Sequence, residues 1–234
     1  MDFNHYCNLH RSDKGDLKPN GNCYAHWYDM WFSPIRSQVR RVCEIGVYDG
    51  ASLRAFRDYF EQAQILGLDI RDRSVHDGER IKTRVLNQGD PGQVDQFVQE
   101  CRSQSIGFDI ILDDGSHDIA HQQLCFGKLF SLVNPGGYYV IEDLGSSYLT
   151  LGFKLYGQVH SQVKINNNTV QFLHQRPFAS PWISDSDSDY INGNVDFVSI
   201  FDKLNESLTY APMMPCVNNY PIRSITAVIR KRAA

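Results

Sequence analysis

Short apolar runs alternate with amphipathic stretches along most of this chain. Val42-Cys43-Glu44-Ile45-Gly46, Ile65-Leu66-Gly67-Leu68-Asp69-Ile70, Thr83-Arg84-Val85-Leu86-Asn87 and Phe108-Asp109-Ile110-Ile111-Leu112-Asp113 each bring several apolar positions together and end near a glycine, an acid or an amide. Runs of that length predict strands buried on both faces, as in a parallel sheet. Leu53 to Phe60 and Gln93 to Arg102 carry apolar residues at helical spacing and predict crossover helices. The same holds beyond His117, where Cys125, Phe126, Leu129 and Phe130 form a core face. Pro135-Gly136-Gly137 then opens another apolar strand, Tyr138 to Ile141. Strands alternating with helices predict an α/β fold with a doubly wound sheet.

The two ends of the chain read differently. Residues 1 to 38 are rich in turn formers, and Tyr24, Trp27, Tyr28, Trp31 and Phe32 recur at helical spacing. They predict a short helix with one aromatic face, which either packs on the core or covers a site. After Gly145 the pattern loosens. Asn166 to Thr169, Arg176-Pro177 and the acidic-serine run Ser184 to Asp189 predict loops, and Val195 to Leu204 a short helix. Ile222 to Arg230 is β-branched with period two and predicts a strand at a sheet edge.

Composition narrows the function classes. A net charge of −4 with scattered basic residues leaves no footprint for nucleic acid. The basic cluster Arg230-Lys231-Arg232 is expected to be solvated. No apolar stretch reaches the roughly 18 residues of a membrane span, and the first residues lack a signal-peptide pattern. A cytoplasmic protein without membrane contact is expected. The six cysteines form no CxxC pair and predict reduced, buried thiols.

Candidate chemistry collects at the predicted strand ends, where ligands bind in open α/β sheets. Asp113-Asp114-Gly115-Ser116-His117 closes one strand and Glu142-Asp143 another. Four carboxylates and an imidazole at neighbouring strand ends repel one another unless a cation or substrate sits among them. Side-chain alternation turns Asp113 away from Asp114, toward a helix cap or a cofactor. Gly46 and Gly50 let the backbone approach a ligand closely, and Ser52 lies at the following helix start. This is not the dinucleotide fingerprint, which needs glycine where Tyr48 stands. Asp69 follows about 20 residues later, a spacing that suits a ribose diol. Asp90, after the next strand, is placed to reach an adenine. The pair His117 and His121 lacks the HExxH glutamate of a zinc site, and Ser184 to Asp189 lacks the glycine and glutamate of a calcium loop.

Taken together, E-I-G-V-x-x-G-x-S-L from Glu44, G-x-D-I from Gly67, G-D at Gly89, D-D-G-S-H from Asp113 and P-G-G-x-Y-V-I-E-D-L from Pro135 resemble class I S-adenosylmethionine-dependent methyltransferases. More narrowly, the chain is similar to the magnesium-dependent sugar O-methyltransferases of the macrocin and mycinamicin type, with a weaker echo at Asp13-Lys14. The resemblance implies a Rossmann-like sheet of seven strands with the last antiparallel. It implies that Glu44, Gly46 and Gly50 hold the methionine part of S-adenosylmethionine, Asp69 the ribose and Asp90 the adenine, with Tyr48, Ser52, Ile70 and Asp113 in the same pocket. Asp114, Glu142 and Asp143 fall on the positions for Mg2+, and His117 on that of the general base. The domain plan that follows has residues 1–38 as a lid or interface, 39–144 as a cofactor-binding core, 145–221 as an acceptor-side insertion and 222–232 as the last strand. The expected partner is a small-molecule acceptor, a sugar or glycosylated natural product, and a homo-oligomer is a further expectation. A catechol or phenol acceptor, a nicotinamide-dependent oxidoreductase and a binding module without turnover are the alternatives.

Overall fold

The computed structural model describes residues 1–19, 21–144, 154–155, 158–159, 168–202 and 225–233. Two helices come first, α1 (Phe3–Leu9) and α2 (Ala25–Phe32). The alternating section then runs β1 (Arg41–Ile45), α3 (Ala51–Tyr59), β2 (Gln64–Asp69), β3 (Ile81–Val85), α4 (Pro91–Ser103), β4 (Phe108–Asp113), α5 (Ile119–Leu129) and β5 (Val133–Ile141). A two-residue ladder, β6 (Lys154–Leu155) with β7 (Gln158–Val159), precedes α6 (Thr169–His174), α7 (Asp185–Asn194), β8 (Val195–Asp202) and β9 (Ile225–Lys231).

Among the described residues one seven-stranded sheet has the order β3-β2-β1-β4-β5-β9-β8. β1 to β5 are mutually parallel, whereas β9 is antiparallel to both β5 and β8. The sheet reverses order between β1 and β4, so their carboxyl ends diverge into the crevice where ligands bind in such folds.

Strand alternation sends neighbouring residues to opposite cores. Cys43, Ile111, Tyr139 and Ile141 pack with α4 to α7, beside Phe97, Phe126 and Phe172. Val42, Ile110, Leu112 and Val140 pack with α1 to α3, beside Phe3, Tyr28, Phe32 and Phe56. This double coverage explains why the strands read as continuous apolar runs.

Several expectations are corrected. Val195–Asp202 is a strand, because Val198 and Ile200 pack against one core while Phe201 packs in the other. The final strand is not an edge, since β8 pairs along its outer side. The run beginning at Ser184 is helical: the Ser184 hydroxyl accepts from the Asp187 N–H, and Asp185 and Asp187 sit in the first turn, where the helix dipole favours negative charge. Asn168, expected in a loop, likewise caps α6. The third strand begins two residues earlier than predicted. Lys231 is buried, not solvated, and donates to the Val133 carbonyl at 2.6 Å. The five described cysteines are free and buried, and Cys216 lies outside the described residues. Much of the expected acceptor-side insertion, 145–221, also lies outside them. No described helix is long and apolar enough to cross a membrane.

Candidate active site

The site begins where β1 ends. Gly46 has φ +90°, and a Cβ there would lie 2.1 Å from the Asp114 carbonyl oxygen, so only glycine lets this turn rest against the end of β4. Gly50, at φ +69°, is the N-cap of α3. Between them Tyr48 is exposed and also holds a positive φ, +48°. The turn is pinned from β2: Asp69 Oδ2 accepts from the N–H groups of Val47 and Tyr48 at 3.0 and 3.3 Å, and Oδ1 from Arg71 at 2.8 Å. Arg73 Nε lies 3.1 Å from Oδ2. Burial alone would raise the Asp69 pKa, but these donors outweigh it and hold the carboxyl below its ordinary value. Ile70, the next residue, is exposed beside it.

The acids divide between the two faces of the sheet, as alternation requires. Asp113 Oδ1 accepts from Gln88 Nε2 at 3.1 Å and from the Gly115 N–H at 3.4 Å, while its buried Oδ2 has no hydrogen-bond partner among the described residues. Burial pushes its pKa up to about 7. On the other face Lys14, 1% exposed, points its ammonium into a ring of carboxylates. Nζ lies 2.6 Å from Asp114 Oδ2, 3.2 Å from Glu142, 3.6 Å from Glu44 and 3.9 Å from Asp13. Burial by itself would deprotonate Lys14, yet the surrounding acids raise its pKa well above the ordinary lysine value. Glu44 Oε2 also accepts from Ser52 Oγ at 2.6 Å, and burial lifts this acid to about 8.

Asp114, His117 and Asp143 converge. Each offers one donor atom, and the three atoms lie within 4.8 Å of one another. His117 and Asp143 both hold left-handed backbone, at φ +57° and +52°, strain of the kind that collects at functional sites. His117 Nε2 lies 3.7 Å from Asp143 Oδ2. Asp143 Oδ1 accepts from Tyr24 OH at 2.9 Å and Asn22 Nδ2 at 3.2 Å. Glu142 stands apart from this trio, fully buried, with Oε1 accepting from Tyr28 OH at 2.8 Å. Its pKa is raised well above the ordinary value by burial and by Asp114.

Asp90 caps α4, accepting from the N–H groups of Gly92 and Gln93. His121 lies 2.9 Å from Ser116 Oγ and takes no part in the trio. Sequence reasoning missed the roles of Lys14, Tyr24 and Tyr28. The signal was Asp13-Lys14 followed by an aromatic helix, but nothing local says that a lysine there faces an acid 100 residues away.

The donor set fits the groups the sequence implies. Asp114 and Asp143 supply hard oxygen ligands of the type magnesium prefers. Buried Glu44 Oε1 and Asp113 Oδ2 lack hydrogen-bond partners among the described residues, so they suit the ammonium, hydroxyl or amino groups of a nucleoside cofactor.

No family model matches this chain. It is 40% identical over 147 residues to an 8-demethyl-8-alpha-L-rhamnosyl tetracenomycin-C 2'-O-methyltransferase of Streptomyces olivaceus, a match covering 59% of this chain and 36% of that protein. It is 41% identical over 136 residues to a mycinamicin VI 2''-O-methyltransferase of Micromonospora griseorubida, covering 53% of this chain and 33% of that one. The aligned stretch is thus about a third of each relative's length. In three dimensions the chain superposes along its full length on 55% of the methyltransferase MycE of the mycinamycin pathway, solved with Mg, SAH and mycinamycin VI, at TM-score 0.68 and 27% identity. An O-methyltransferase from Bacillus cereus in complex with SAH, 9% identical at TM-score 0.54, shares the fold alone.

Proposed function

We propose that this chain, built on the class I methyltransferase fold, is the core of an S-adenosylmethionine-dependent, magnesium-dependent O-methyltransferase acting on a sugar hydroxyl of a small molecule, in the cytoplasm and as a homo-oligomer. The convergence of Asp114, His117 and Asp143 at the carboxyl ends of β4 and β5 carries the reading. When bound, S-adenosylmethionine supplies the electrophilic methyl group and magnesium polarises the acceptor hydroxyl.

The protein's own part is positioning and proton transfer. In-line attack needs an oxygen held ~3 Å from the methyl and relieved of its proton. His117 takes that proton on its imidazole, and Asp143 Oδ2, 3.7 Å from Nε2, stabilises the imidazolium that forms. Asp114 and Asp143 hold the cation, with Glu142 behind them. Glu44, Gly46, Tyr48, Gly50, Ser52, Asp69, Ile70 and Asp113 line the cofactor side. Asp69 fixes the Val47–Tyr48 turn from below while its Oδ1, bonded to the Arg71 N–H, borders that side. Residues 39–144 form the cofactor core, and residues 1–38 cover its acids. A nicotinamide reading has little support, since Tyr48 occupies the fingerprint glycine position and the relatives are O-methyltransferases.

The test is methyl transfer from labelled S-adenosylmethionine to rhamnosyl or macrolide-sugar acceptors, with magnesium and with excess chelator. Chelation is expected to abolish transfer and magnesium to restore it. His117→Ala is expected to cost about 10² to 10⁴ in rate with cofactor binding intact. Undiminished transfer in chelator removes the cation from the reaction.

A further inference from the structure

The carboxylates of the converging trio are gripped from far away in sequence. Lys14 Nζ donates to Asp114 Oδ2 at 2.6 Å across 100 residues. Asn22 Nδ2 and Tyr24 OH donate to Asp143 Oδ1 at 3.2 and 2.9 Å across 121 and 119 residues. Local chain geometry does not force such contacts, so the fold has brought a whole segment, residues 12 to 28, over the strand ends. Tyr24 is fully buried, and its hydroxyl is directed to a half-buried acid instead of to solvent.

Resting on the cation reading above, we infer that Lys14, Asn22 and Tyr24 are positioning residues for a divalent cation. Each grips one oxygen of Asp114 or Asp143, and the second oxygen of Asp143 is thereby turned toward His117 Nε2. Partners behind the ligands of a metal site fix ligand orientation, and losing one typically costs 10- to 100-fold in metal affinity. The backbone supports the assignment. Asp143 and His117 occupy left-handed conformations that persist only where surroundings over-determine them, and the phenol and amide on Asp143 supply that constraint. Lys14 has a second task, neutralising Glu44 and Glu142, which are fully buried.

The test is Mn2+ binding to the full chain, read from the electron paramagnetic resonance signal of free Mn2+, for the wild type, Tyr24→Phe, Asp143→Asn and Tyr59→Phe. Tyr24→Phe keeps the ring and removes only the hydroxyl. Tyr59→Phe removes a buried hydroxyl that serves Asp29, away from the trio. The expected result is binding by the wild type and by Tyr59→Phe, loss in Asp143→Asn, and roughly 10- to 100-fold weaker binding in Tyr24→Phe with an unchanged circular dichroism spectrum. Wild-type affinity in Tyr24→Phe overturns the inference and leaves the cation site standing. Equal weakening in Tyr59→Phe also overturns it, by making the effect generic. A wild-type chain that binds no Mn2+ sinks the cation reading and the inference together. Should Tyr24→Phe fail to fold, Asn22→Ala, at a half-buried loop position, is read in the same way.

Discussion

Lys14 is the residue on which the charge balance of the site turns. Four carboxylate groups lie within 4 Å of its ammonium, and two of them, Glu44 and Glu142, are fully buried. Removing one partner of a buried ionic cluster leaves the others uncompensated, so Lys14→Met is expected to lower stability by about 3 to 5 kcal/mol in urea unfolding. A loss under about 1 kcal/mol would mean that the acids are neutral without it. Asp113 answers to pH instead. Burial raises its folded-state pKa from 3.8 to about 7, so the folded protein binds that proton more tightly than the unfolded chain. The stability it contributes is complete below pH 3.8 and is lost as pH rises through about 7. Asp113→Asn, which mimics the protonated acid, should therefore flatten the decline in the urea midpoint across that window in cation-free protein, and a slope equal to wild type would contradict the assignment. The sequence made Asp113 and Asp114 legible as a pair facing opposite ways, because alternation along a strand is local. It could not reveal their partners, Gln88 and Lys14, because those come from other elements.

At the scale of elements, period and punctuation carried the middle of the chain. The strand-to-helix turn at Gly46–Gly50 and the strands ending at Asp69 and Asp113 were legible, since buried parallel strands are short and apolar on both faces. The same property misled at Val195–Asp202: a run apolar on both faces has no period of its own, and only its pairing with β9 makes it a strand. At α7 the serines and aspartates look like a loop until Ser184 is seen as a cap. Capping also governs the element that follows the catalytic histidine. Asp118 Oδ1 accepts from the N–H groups of Ala120 and His121, starting α5 immediately after His117. Asp118→Ala is expected to cost about 1 kcal/mol in urea unfolding. Because His117 is the neighbouring residue, catalytic rate should fall by more than cofactor affinity. A variant as stable and as active as wild type would show that α5 needs no cap to orient the imidazole.

For the whole molecule, a doubly wound sheet sets a crevice at the carboxyl ends of β1 and β4, and the N-terminal segment folds over it to complete the polar site. The crevice was legible from the order of strands and acids. The cover was legible only as an aromatic helix, whose face proves to serve two purposes: Phe32 packs in the core, while Tyr24 and Tyr28 turn their hydroxyls to Asp143 and Glu142. The central claim is that this crevice takes S-adenosylmethionine, and isothermal titration calorimetry with S-adenosylhomocysteine tests it most directly because no acceptor is needed. The account predicts saturable binding of S-adenosylhomocysteine, no binding of NAD, and affinity lost in Asp69→Ala by about 1.5 to 3 kcal/mol, the scale of hydrogen bonds to a charged group. Binding of NAD in place of S-adenosylhomocysteine, or S-adenosylhomocysteine affinity unchanged in Asp69→Ala, would contradict it.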